Sequence, residues 1–292
     1  MQLSAELASA TAASTGVEVD VQFAEGDFTA QVRQVLSAMR ALPRPRVILM
    51  MPIQESSLKA ISEQATAAGI GWFWLSRSAG NHVELQQRYP GLPISFVTPD
   101  QREAGRIQGG QIRALLPKGG RVLWIHGRMS NQSTLVRTAG TREALAKAEG
   151  IEIVGELDGN WSADDTTTAA LRWLRTMWPT RLRPRVIACQ SDVMASGALN
   201  ALKVLSSELN DPSLLQVPLL GCDGLRSFGR RMVDEGIFAA TTVLPTTTER
   251  AVRLAAAALD RGEMPPSEVV LEPQPYPDEA TLLRALTPRQ IA

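Results

Sequence analysis

The amino-acid sequence predicts an α/β fold built from doubly wound, mostly parallel sheets. Short β-branched or apolar runs alternate with helical patterns almost from end to end, which is the signature of βαβ units. The helical stretches are apolar on one face, as with Leu254, Ala255, Ala258 and Leu259 in one and Ala198, Ala201, Leu202 and Leu205 in another. The breaks are short and marked by proline, at 42–45, 89–93, 179–184 and 211–218, with no long linker, fixed-period repeat or low-complexity tract.

The chain opens on a helical pattern, Leu3, Leu7 and Ala10. A doubly wound lobe normally begins with a strand that its first helix then covers, so the first strand of the N-terminal lobe is expected to be missing and the sequence to start late. The first half then predicts strands at 17–23, 46–51, 71–75, 94–97 and 121–125, and the second half at 151–157, 185–189, 217–222, 239–243 and 268–271. Asp100 is placed to cap the helix containing Ala104 and Ile107, and Ser191 or Asp192 the one containing Met194. Gly69, Gly150 and Gly236 stand where a helix gives way to a strand, as a left-handed C-terminal turn requires. The last stretch, 263–292, is richer in proline and charge and is expected to wrap over the surface.

At 292 residues and 44% hydrophobic content, the chain has room for two lobes with separate cores. Thirty basic residues balance thirty acidic ones, so no net field draws the chain to nucleic acid or to an anionic membrane. Cys189 and Cys222 lie in apolar runs that read as strands, where buried thiols are common, and one pairing between them stays open. His82 and His126 lack neighbours at ligand spacing, so no metal site is expected. No apolar run is long enough to span a bilayer, and the sequence as given has no signal-peptide pattern. Neither a glycine-rich nucleotide loop nor a Ser, His and acid set can be assembled, so no catalytic residue and no cofactor is expected.

Several segments carry a more specific message. They are Met51-Pro52-Ile53-Gln54-Glu55-Ser56 followed by Ala67-Ala68-Gly69-Ile70, then Asp100-Gln101-Arg102-Glu103-Ala104-Gly105-Arg106, and Arg137-Thr138-Ala139-Gly140 with Arg142-Glu143-Ala144-Leu145. Later come Ser191-Asp192-Val193-Met194-Ala195-Ser196-Gly197 and Gly221-Cys222-Asp223-Gly224. In this order they resemble the periplasmic sugar-binding proteins, which share a two-lobed core with the effector domains of lactose-repressor-like regulators. The resemblance covers nearly the whole chain.

It implies an N-terminal lobe of residues 1–98 plus 244–272 and a C-terminal lobe of 99–243 plus 273–292. Three hinge strands would join them near 97–100, 243–245 and 271–274. It also implies an extracytoplasmic protein that takes a sugar or sugar-like ligand between its lobes and docks on an ABC transporter permease. The alternative is the effector-binding core of a regulator. That reading needs a basic helix-turn-helix, which the sequence does not contain.

Open parallel sheets collect ligands beyond the carboxyl ends of their strands. The residues expected to bind the ligand are therefore Ser76 and Arg77, then Arg137, Trp161, Ser191, Asp223 and Val243. The arginines offer fixed forks of donors, Asp223 an acceptor for hydroxyls, and Trp161 a ring face. The plainer alternatives are surface arginines, a tight-turn aspartate before Gly224 and a core tryptophan. Ser76, Ser191 and Val243 stand where the family pattern usually has Asp, Asn and an amide side chain. Lost hydrogen-bonding groups leave ligand hydroxyls without partners, which points to a less hydroxylated or partly apolar ligand.

Overall fold

The computed structural model describes residues 2–54 and 58–285, and of residues 2–5 the backbone alone. From the N-terminus the elements run α1 (Gln2–Thr15), α2 (Phe28–Arg40), β1 (Val47–Met50), α3 (Lys59–Ala67), β2 (Gly71–Leu75), α4 (His82–Arg88) and β3 (Ile94–Pro99). Next are α5 (Gln101–Leu115), β4 (Gly120–His126), α6 (Gln132–Leu145), β5 (Ile151–Asp158), α7 (Ala163–Met177), β6 (Val186–Cys189) and α8 (Asp192–Leu209). The last are β7 (Leu219–Asp223), α9 (Arg231–Asp234), β8 (Ala240–Val243), α10 (Thr247–Arg261), β9 (Glu268–Leu271), β10 (Gln274–Tyr276) and α11 (Glu279–Ala285). Two compact units result, Met1–Pro99 with Pro245–Leu271 and Asp100–Leu244 with Glu272–Ala292, so the chain passes three times from one to the other.

The first unit holds a parallel sheet in the order β1-β2-β3-β9. Its central strand β2, Gly-Trp-Phe-Trp-Leu, is buried throughout because helices cover both faces. Trp72 and Trp74 pack with Val35, Ile61 and Ala65 on one side, and Phe73 and Leu75 with Ala251 and Ala255 on the other. The opening helix forms, but its buried face is Ala8, Thr11 and Ala12, while Ala10 is exposed and the side chain of Leu3 lies outside the described residues. Of the Met51–Ser56 segment, Glu55 and Ser56 likewise lie outside them.

The strand expected at 17–23 is not there. Val17, Val19 and Val21 pack against Ala8, Ala12, Val252 and Leu49, with Glu18, Asp20 and Gln22 exposed. Among the described residues this segment enters no ladder, and β1 pairs with β2 alone. Alternation reports one-sided burial, which an extended segment achieves against helices as well as in a sheet.

The second unit holds six strands in the order β10-β8-β7-β6-β4-β5, parallel except for β10. One face is closed by α7 and α8, through Ala170, Leu174, Ala198, Leu202 and Leu205 against Leu123, Ile125 and Ile187. Ile112, Ala114 and Leu282 help close the other against Val122, Trp124, Val186 and Leu220.

Both cysteines are buried and free. Cys189 belongs to the α7/α8 face, whereas Cys222 follows Gly221 on the opposite face, that of Leu220. The alternation of adjacent strands thus keeps the two thiols apart. The expected caps form, since Asp100 accepts from the Glu103 N–H and Ser191 from the Met194 N–H. Gly69, Gly150 and Gly236 take φ of 81°, 74° and 70°.

The terminal stretch is more structured than its composition suggests. Gln274–Tyr276 pairs antiparallel with β8, and α11 buries Leu282. Pro275 hid the strand from a reading by composition, but proline is tolerated on a sheet edge.

Candidate functional site

In the second unit the parallel strands end together, and the polar residues that follow them form hydrogen-bonded clusters. Gln190, fully buried between β6 and α8, donates to the Thr134 carbonyl at 3.2 Å and the Thr138 hydroxyl at 2.8 Å. It accepts from the Gly127 N–H at 3.2 Å. Its side chain therefore ties the tips of β4 and β6 to α6.

Arg137 stands on α6 and is only 3% exposed, which rules out the surface arginine of the plainer reading. Its Nη1 donates to the Gln190 carbonyl, and its Nε and Nη2 donate to Oε1 of Gln101 at 3.1 and 2.5 Å. The guanidinium carbon lies 5.8 Å from the centre of the Trp161 ring. A charge this buried persists only with partners, and no carboxylate is hydrogen-bonded to it among the described residues. Its compensation is electrostatic, since Arg137 acts to lower the proton affinity of both Asp192 and Asp223.

Two aspartates meet across β7 and α8. Asp223 ends β7 with φ of 115°, and its carboxylate accepts the backbone N–H of Asp192. Burial pushes its pKa up to about 6, against the pull of Arg137. Asp192, 1% exposed, accepts from the Thr241 hydroxyl at 2.7 Å and the Gly224 N–H at 2.8 Å. Burial and then the charge of Asp223 push it up to about 7. Val243 stands beside Asp223 in the ladder of β7 and β8, and a Cβ on Gly224 would lie 2.6 Å from its Cγ2.

Trp161 follows β5 in a turn where it and Asn160 take φ of 58° and 53°. Its ring is partly core, packed on the α7/α8 cluster and against Gly127, where a Cβ would sit 2.0 Å from Cε2. Its Nε1 is buried without a hydrogen-bond partner among the described residues. Ser191 is 5% exposed, and its hydroxyl oxygen is engaged as the α8 cap, at 3.1 Å from the Met194 N–H.

In the first unit Ser76 and Arg77 follow β2. Ser76 has φ of 61°, its N–H donates to the Val97 carbonyl at 2.8 Å, and its Oγ is 3.4 Å from that of Thr247. Arg77 Nη1 reaches the Ile53 carbonyl at 3.5 Å. Both are half-buried at the carboxyl end of their strand.

The structure thus gathers Arg137, Trp161, Ser191, Asp223 and Val243 at the strand tips of one unit and sets Ser76 and Arg77 at a strand tip of the other. Reading the sequence missed Gln190, Asp192 and Gln101. The available signal was a cluster of polar residues directly after the fully apolar strand Val-Ile-Ala-Cys.

A family profile described as periplasmic binding protein domain matches residues 1–264. A protein of Rhizobium meliloti named for rhizopine binding is 26% identical over 197 residues, 67% of this chain and 60% of that protein. The D-ribose/D-allose-binding protein of Pseudomonas aeruginosa is 26% identical over 219 residues, 74% of this chain and 62% of that one. The chain therefore spans about three fifths of the length of the curated relatives it matches.

Among solved structures, the Caulobacter myo-inositol binding protein, bound to myo-inositol, aligns with a TM-score of 0.76 at 22% identity, covering 97% of this chain and 90% of that one. An ABC transporter periplasmic solute binding protein from Actinobacillus succinogenes with bound D-allose aligns with a TM-score of 0.79 at 19% identity, covering 96% and 93%. At these identities the likeness is one of fold.

Proposed function

The chain belongs to the periplasmic binding protein family, and on that premise we propose that it captures a small sugar-like or cyclitol-like ligand outside the cytoplasm and hands it to an ABC transporter permease. It performs no chemistry on what it carries. The observation that carries this reading is the group at the second unit's strand tips, a buried guanidinium, an aromatic ring 5.8 Å from it and a carboxylate on which its charge acts. A polyol needs a fork of donors for its oxygens, an acceptor for its hydroxyl hydrogens and an apolar surface for its C–H face. The names of the relatives and the ligands of the structural neighbours support the same class.

Ser76 and Arg77 complete the contacts from the first unit. The ligand carries fewer free hydroxyls than an unmodified pentose, because Val243 offers none of the hydrogen bonds of an amide and one acceptor site of the Ser191 hydroxyl is taken by its helix. Titration calorimetry tests this with myo-inositol, D-allose, D-ribose and the deoxygenated and O-methylated derivatives of each. One ligand per chain is expected, with a substituted member binding tightest. Tight binding of unmodified D-ribose would refute the ligand preference, and silence across the panel would refute the binding reading.

A further inference from the structure

Asp192 contributes a carboxylate that the binding reading does not use, in surroundings built for it. A Cβ on Gly221 would lie 2.1 Å from its Oδ1, and one on Gly229 would lie 1.9 Å from its Oδ2. Two glycines thus vacate the space the carboxylate fills, one on β7 and one in the π-helical turn Arg226–Arg230. Around it the bonding is reciprocal. Asp192 gives its backbone N–H to the Asp223 carboxylate, and its own carboxylate takes the Gly224 N–H, so each residue fixes the segment that carries the other.

The Thr241 hydroxyl adds a third tie, to β8. Both Asp223, with φ of 115°, and Gly224, with φ of 61°, occupy backbone conformations that the turn has to be held in. An aspartate at 223 presents its side chain at the strand tip only while that turn stays in place.

We propose that Asp192 is the positioning residue of the binding site, holding the Asp223–Gly224 turn. This rests on the binding reading above.

Several groups face the pair. Arg137 from α6 is the cation acting on both. The Cys189 and Cys222 thiols from β6 and β7 are pushed up by burial and stay neutral. Thr241 from β8 is a neutral donor, and Arg230 reaches the turn by donating to the Gly224 carbonyl at 3.1 Å. Burial raises both carboxyls above their ordinary range, and the charge of Asp223 raises Asp192 further.

A group that must ionise to accept a hydroxyl binds better as the pH rises through its midpoint and levels off above it. With that midpoint at about 6, affinity gains about tenfold between about pH 5 and about pH 7.

The test uses the native full chain without ligand. Carbon-13 carboxyl shifts are followed through a pH titration in the wild type, Asp192→Asn and Asp223→Asn. Asp192 and Asp223 are expected to titrate in linked steps well above the ordinary aspartate range. Asp223→Asn, at a partly exposed position, should keep the fold and drop the Asp192 midpoint by about a unit or more. An Asp192 midpoint that stays put in Asp223→Asn, or two independent titrations in the ordinary range, would overturn the proposal whether or not any sugar binds.

A second arm measures affinity for myo-inositol and D-allose across pH. The wild type should show the tenfold rise, and Asp192→Asn should bind more weakly across the whole range. An Asp192→Asn protein with wild-type affinity at every pH would overturn it too. Silence toward both probes would count against the binding reading and leave the carboxyl titration to decide whether Asp192 stands against the turn.

Discussion

At the scale of single residues, the site is organised around Arg137. Reading the sequence identified it through its place ahead of Thr138-Ala139-Gly140, but not its burial, which depends on Gln101 and Gln190 from two other segments. Removing the guanidinium leaves the Gln190 carbonyl and the Gln101 amide oxygen without their donor and two carboxylates without the cation that acts on both. We expect Arg137→Ala to lose about 3 kcal/mol of stability in urea unfolding at neutral pH, the range found when one member of a buried charged group is deleted. Arg137→Lys keeps the charge without the fork, so it should recover part of the stability and little of the affinity. Equal stability of Arg137→Ala and the wild type would remove Arg137 from the centre of the network. Asp192 was illegible for a related reason, since Gly221 and Gly229, which make its space, say nothing about that role in their own local sequence.

At the scale of elements, α5 and α6 pack closer than ordinary side chains allow. A Cβ on Gly105 would sit 2.0 Å from the Arg137 carbonyl oxygen, and one on Gly140 would sit 2.0 Å from that of Arg102. These glycines let α6 carry Arg137 against the strand tips. Gly105→Ala should therefore shift α6, cost about 1–3 kcal/mol through overpacking, and weaken ligand binding with it. Gly110 offers the contrast. Its Cβ would meet only the end of the exposed Glu279 side chain, which can swing away. Gly110→Ala should be neutral or stabilising, as alanine is the better helix former by about 1 kcal/mol. Urea unfolding of the two variants checks both, and equal losses would contradict the backbone origin of the first.

Elements also show where local patterns mislead. The continuous apolar run Gly-Trp-Phe-Trp-Leu is legible because a strand covered on both faces has no other composition available. The alternating 17–23 segment has the right period without a ladder, and Gln274–Tyr276 has a ladder without the right composition. Pairing is a property of the neighbour, which no local window contains.

At the scale of the whole molecule, the division into units follows from where the chain crosses, at Pro99, Leu244 and Leu271. Each unit brings a strand tip with an arginine after it or beside it, Arg77 in one and Arg137 in the other. A ligand that touches both favours whichever arrangement lets it do so, and it can shift that equilibrium only by its difference in affinity for the two states. Arg137 and Asp223 alone would make a half-site with no reason to change the shape of the protein. The most direct measurement is small-angle scattering of the native chain with and without saturating amounts of the panel member that binds tightest in calorimetry. Capture by both units predicts a smaller radius of gyration in the bound state, and an unchanged radius at saturation would contradict it.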